Sequence, residues 1–174
     1  MAQDAMTAAE ATAAMDVLVE QERLLRFGDG FGSAEALELG CAAARLASDF
    51  EETYTVTITR ESDDAVVFQW LADDKGARNL MFAAGKRAAA LASGHASPWV
   101  QLEAAALGKG LDDVWAKVSD EVATCGAFPI RAEGEWVATI AVSGLHEGLD
   151  HEVVVRALEQ VLGVSVPRFA CAVA

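Results

Sequence analysis

The 174 residues, 53% of them hydrophobic with a mean hydropathy of +0.24 and only 3 prolines, can build one core and exclude disorder or collagen-like repeats. With 27 acidic against 13 basic residues the formal charge is −14, which repels nucleic acid and anionic membranes on average, so neither is expected as a partner. Cys41, Cys125 and Cys171 lack metal-ligand spacing, Met1 to Met15 lacks a basic start, and no apolar run approaches the roughly 20 residues of a membrane span, so a cytoplasmic protein with reduced thiols is expected.

Residues 1–15 are expected to form a flexible tail and 16–174 a single domain. Val17, Leu18, Leu24 and Leu25 recur at helical spacing between Asp16 and Phe27. The glycine-rich Gly28 to Gly32 breaks that helix, and Ser33 is placed to cap a second whose Leu39, Ala43, Leu46 and Phe50 form one stripe. Tyr54, Val56 and Ile58 alternate with Thr53, Thr55, Thr57 and Thr59, which predicts a half-buried strand, and Val66, Phe68 and Trp70 return beside it as a hairpin. An Ala-rich helix from Arg78 to Ser93 follows, with Leu80, Ala84, Arg87 and Leu91 at helix spacing. Short helical pieces occupy Trp99 to Val122. A second hairpin pairs the Phe128–Ile130 segment with Trp136 to Val142 around Glu133-Gly134, Pro129 marking a sheet edge or bulge. Asp150 opens a last helix through Leu162 as its N-cap. Two hairpins separated by helices imply an α+β fold with an antiparallel sheet.

The run Gly126, Ala127, Phe128, Pro129, Ile130, then Val142, Ser143, Gly144, Leu145, then Asp150-His151 resembles the GlcG/HbpS-like family, also called the heme-degrading domain, and its uncharacterised cytosolic branch most of all. Gln21, Glu22, Leu24, Leu25 and Phe27, the Ala36 to Gly40 stretch, and Asn79 with Lys86 are similar too. The resemblance spans roughly Gln21 to Gly163. It implies a profilin-like α/β/α sandwich around a five-stranded antiparallel sheet, assembled into homo-oligomers, in a family where some members bind heme or are associated with its degradation. The fifth strand would come from Val164 to Ala172 or from within Trp99 to Val122. The chain departs from the branch where Thr124-Cys125 replaces His-Gly, where His95 to Ser97 replaces a serine pair, and where Leu80 or Phe82 stands for an aromatic residue after Asn79.

The candidate ligand-binding residues are Asn79, Lys86, Gly126, Phe128, Pro129, Ser143, Gly144, His146, Asp150 and His151. Backbone N–H groups at Ser143-Gly144, before a helix N-terminus, suit a small anion that Lys86 would counter, although a turn requiring glycine and a solvated lysine explain the same residues. His146 and His151 flank Asp150 at a spacing that fits no zinc pattern, so no metal site is expected. His151, in the first helical turn, feels the positive helix end, stays neutral, and is the best axial heme ligand among His95, His146 and His151. Cys125 reads as a buried small hydrophobe, since no base accompanies it. No nucleophile triad, phosphate loop or catalytic carboxylate pair is present. The leading reading is an oligomeric module binding heme or another small anionic molecule; the alternatives are a heme-degrading enzyme and an acidic protein–protein adaptor.

Overall fold

A computed structural model describes residues 6–118, 125–146 and 148–169. The elements are α1 (Ala8–Leu24), α2 (Ser33–Arg45), a 3-10 turn (Leu46–Asp49), β1 (Thr55–Arg60), β2 (Val66–Leu71), α3 (Ala77–Ser93), α4 (Trp99–Ala106), α5 (Leu111–Val114), β3 (Ala127–Ala132), β4 (Glu135–Ser143) and α6 (Leu149–Leu162). Their order agrees with the expected one. The strands form one antiparallel sheet in the order β2-β1-β4-β3, a mixed α+β architecture. No helix among the described residues is long and apolar enough to cross a membrane.

Side-chain alternation sorts the sheet into two covered faces. Val56, Ile58, Phe128, Ile130, Ile140 and Val142 join α1, α2 and α6 in the main core. Their neighbours Ala127 and Ala141 turn the other way, against Ala83 and Ala90 of α3. Alanines on both sides let α3 approach the sheet closely. That cover corrects the expectation for β1: Thr55 and Thr59 are buried, not solvated, because α3 lies over their face. The inward stripe of α3 is also rotated from the expected one, with Ala83, Lys86, Ala89 and Ala90 buried while Leu91 is exposed. Small residues win the sheet-facing positions because they permit the shortest separation.

Several boundaries differ from the sequence reading for local reasons. α1 starts at Ala8, inside the expected tail, because Thr7 and Glu10 form a capping box that satisfies the first-turn N–H groups. Residues 1–5 of that tail lie outside the described residues. At α2 the cap is Gly32, whose N–H is held by the Glu35 carboxylate at 2.8 Å, rather than Ser33. The sheet has four strands among the described residues, not five. Trp99–Ala106 and Leu111–Val114 are helical, and 164–169 is an extended strap anchored by side chains rather than by a ladder. Gln21 Nε2 donates to the Pro167 carbonyl at 2.8 Å, and Arg168 clasps Glu152 and Glu159 of α6. The remainder of these two expected stretches, 119–122 and 170–172, lies outside the described residues. Cys41 is free while Cys125 is disulfide-bonded, which corrects the expectation of reduced thiols.

The two sheet edges differ. On β3, the Ala127 carbonyl accepts from Ser97 N–H and its N–H donates to Ser97 Oγ, Pro129 has no N–H, and the Arg131 carbonyl accepts from Phe27 N–H at 2.9 Å. Pro129 thus sits at an edge, as expected. β2 ends the order on the other side and is half-exposed, with Val66 open to solvent. Phe68 on β2 is packed flat against Gly40 of α2, where a Cβ would fall 2.3 Å from ring carbons. Gly40→Ala is therefore expected to lower stability by about 1–3 kcal/mol through overpacking. Urea denaturation checks this, and Phe68→Leu in the same chain should restore most of the loss.

Candidate functional site

The residues singled out near the end of β4 do come together, around a buried ion pair. Lys86 Nζ on α3 lies 2.5 Å from Asp150 Oδ2 on α6 and donates to the Val142 carbonyl at 3.0 Å. The two side chains are only 5% and 4% exposed, so the solvated reading of Lys86 is overturned. α3 and α6 cover opposite faces, so the pair stitches the layers together around the end of the sheet. Two glycines open the passage. A Cβ on Gly126, at φ +131°, would meet the Val142 carbonyl at 2.5 Å and Lys86 Nζ at 3.1 Å. On Gly144, at φ +148°, it would meet the Thr53 carbonyl oxygen at 2.5 Å.

An anion does sit at the backbone that leaves β4, at Gly144 and Leu145 rather than at Ser143-Gly144, and it belongs to the chain itself. Leu145 N–H donates to Asp150 Oδ1 at 3.0 Å, with Gly144 N–H at 3.4 Å from Oδ2. Asp150 is thus not the expected N-cap; Gly148, at φ +77°, takes that place and Asp150 reaches backwards from inside the first turn. Burial pushes the Asp150 carboxyl up, against the opposing pull of the Lys86 ammonium and the two N–H groups. Asn79 stands about two turns before Lys86, its N–H on the Gly76 carbonyl. Phe128 and Pro129 lie in β3, one in the core and one on the edge strand.

One cleft adjoins this frame and another lies at the far end of the sheet. Beside the strand end, a cleft of about 440 Å³ is lined by Asp49, Phe50, Glu51, Glu52, Leu145, His146 and Leu149. Its carboxylates disfavour an anionic ligand. At the opposite end of the sheet a pocket of about 480 Å³ is lined by Phe31, Arg60, Glu61, Val67, Trp136 and Val137, among others. Behind it, Glu61 is held by Arg87 and by the Thr139 hydroxyl, which in turn accepts from Trp136 Nε1. None of the residues lining this pocket is a histidine, cysteine, methionine or tyrosine, the usual protein ligands of heme iron.

The three histidines differ sharply as iron ligands. His151 lies inside the core between Phe128 and Phe169, at ring distances of 6.0 and 5.4 Å. Its Nε2 is 2.8 Å from Gln21 Oε1. An amide oxygen only accepts, so Nε2 carries the proton and Nδ1 is left a buried, unpartnered acceptor. Burial holds this ring's pKa down at about 3. Neutrality agrees with the sequence reading, but its cause is desolvation, and neither nitrogen is open to a ligand. His146 is 80% exposed and held by Glu52, its ring Nδ1 at 2.5 Å and its backbone N–H at 3.0 Å. His95, following α3, has its Nδ1 2.9 Å from Glu22 Oε2. Glu22 is buried on α1, and its other oxygen accepts Ala96 N–H at 2.7 Å. The His95 ring stacks on Trp99 at 3.8 Å and 17°. The sequence does not join Glu22 or Trp99 to His95 as a site, because Glu22 lies 73 positions from His95 and no spacing rule links them.

Comparison with known proteins places the architecture. A family model described as "Haem degrading protein HbpS-like" matches residues 31–159. A UPF0303 protein of Psychromonas ingrahamii is 29% identical over 147 residues, covering 83% of this chain and 91% of the relative. The solved Ybr137w protein superposes with a TM-score of 0.74 at 20% identity, covering 86% of this chain and 87% of its own. A PduOC:heme complex superposes with a TM-score of 0.62 at 16% identity, covering 79% and 97%.

Proposed function

The chain belongs to the HbpS-like family, and from that membership we propose that it is a small-molecule-binding module whose ligand is heme. The family match carries the reading, and the availability of one oriented, partly exposed histidine supports it. The polar groups gathered at the strand end satisfy one another, so the same proposal assigns Lys86, Gly126, Ser143, Gly144 and Asp150 to the frame that holds the helices on the sheet. Self-assembly belongs to the proposal as well. The exposed side chains of Leu37, Val66 and Met81 provide apolar surface for contact between copies.

Titration of the purified protein with hemin is expected to give a saturable Soret shift at one heme per chain. A shift that never saturates, or one that bovine serum albumin at the same concentration abolishes, overturns the proposal.

A further inference from the structure

Resting on the heme reading, the geometry points to a specific site: His95 Nε2 ligates the iron, Glu22 and Trp99 fix the ring, and Arg26 with Arg131 bind the heme carboxylates. The first argument concerns the proton. A buried carboxylate accepts hydrogen bonds and cannot donate, so the contact at 2.9 Å puts the ring proton on Nδ1. In the neutral ring the lone pair is then at Nε2, which has no hydrogen-bond partner and is absent from the buried unpartnered atoms. The side chain is 31% exposed, against 7% for Glu22. A carboxylate behind the ring and an open nitrogen in front is the arrangement that orients histidines toward metals and raises their basicity. No group of three or more His, Cys, Asp or Glu among the described residues stands ready for a bare ion. One oriented imidazole suits heme, whose porphyrin already supplies the equatorial nitrogens.

The second argument concerns charge. On a chain of net charge −14, seven of the 13 lysines and arginines are ion-paired among the described residues, and Arg26 and Arg131 are among the six that are not, although Arg131 lies over the Trp136 ring at 5.2 Å. Both adjoin His95. Arg26 Nε donates to the carbonyl of Glu22, the residue that holds the ring, and an Arg131 terminal nitrogen lies 3.5 Å from the carbonyl of Gly94. The chain links them directly, since Phe27 N–H donates to the Arg131 carbonyl. Two guanidiniums free of carboxylates beside an open imidazole match a ligand with one iron and two propionates.

Hemin is titrated into wild type, His95→Gln, His95→Ala and Arg26→Ala/Arg131→Ala, with circular dichroism to confirm folding. His95→Gln keeps a donor for Glu22 but offers no imidazole. It is expected to lose the wild-type Soret position and to weaken binding at least about tenfold, with added imidazole restoring the spectrum in His95→Ala. The arginine pair is expected to weaken hemin about tenfold while leaving the spectrum unchanged, and to leave hemin dimethyl ester unaffected. If wild type binds hemin and both His95 variants keep its spectrum, the site assignment is overturned while heme binding stands. Equal loss of hemin and dimethyl ester in the arginine variant overturns the carboxylate assignment. If wild type takes up no hemin, the heme reading itself fails.

Discussion

Lys86→Met is expected to destabilise the protein by about 3–5 kcal/mol, because it strands the Asp150 carboxylate in a site from which water is excluded. The pair is held by geometry on both sides: Lys86 also reaches the Val142 carbonyl, and Asp150 also accepts from Gly144 and Leu145. Asp150→Asn strands the ammonium instead and should also be costly. Lys86→Met/Asp150→Asn removes both charges while the Asn oxygen still accepts from Leu145, so its loss should fall well below the sum of the single changes. Urea denaturation of the four proteins measures the coupling. Single variants within about 1 kcal/mol of wild type would show the pair to be no more than a surface bridge.

Acidification should unfold the protein through His151. Its pKa is 6.5 in a model peptide and about 3 in the fold, because the ring is desolvated in the core and feels the charge of Arg168. Below pH 6.5 the unfolded chain binds a proton at this position that the folded chain refuses, so stability is complete above that pH and falls as pH drops toward 3. The loss from this one group is about 2 kcal/mol between pH 7 and pH 5, and approaches about 5 kcal/mol near pH 3. Urea midpoints at pH 7 and pH 5 read the stability. The His151 Cε1 proton resonance reads the ring and should hold its neutral position at pH 5; a ring that has protonated by then would refute the assignment.

The sequence carried the elements better than the site. The Thr/Val/Ile alternation of β1, the Glu133-Gly134 reversal, with φ of +51° and +87°, and Pro129 on an edge strand were legible because each is local: a period, a turn or a missing N–H. The rotation of α3 was not, because its inward stripe is chosen by the alanines of β3 and β4 far along the chain. The same holds at the strand end. The sequence groups Lys86, Gly126, Gly144 and Asp150 and points to an external anion, whereas the fold brings the anion from within the chain, 64 positions away from Lys86. Helix position favours His151 over His95, whereas accessibility is decided by Gln21 and Phe169, from opposite ends of the described chain.

The unequal edges of the sheet set an arithmetic for assembly. On β3 both Ala127 groups are answered by Ser97, the Arg131 carbonyl is answered by Phe27 and Pro129 has no N–H, while among the described residues no strand pairs with the outer flank of β2. A copy that pairs strand to strand at β2 would consume that flank of both molecules at once, leaving a continuous eight-stranded sheet with a partly answered β3 edge at each end. Growth by this route stops at two, so the molecule can share its sheet with a copy without becoming the seed of a fibre.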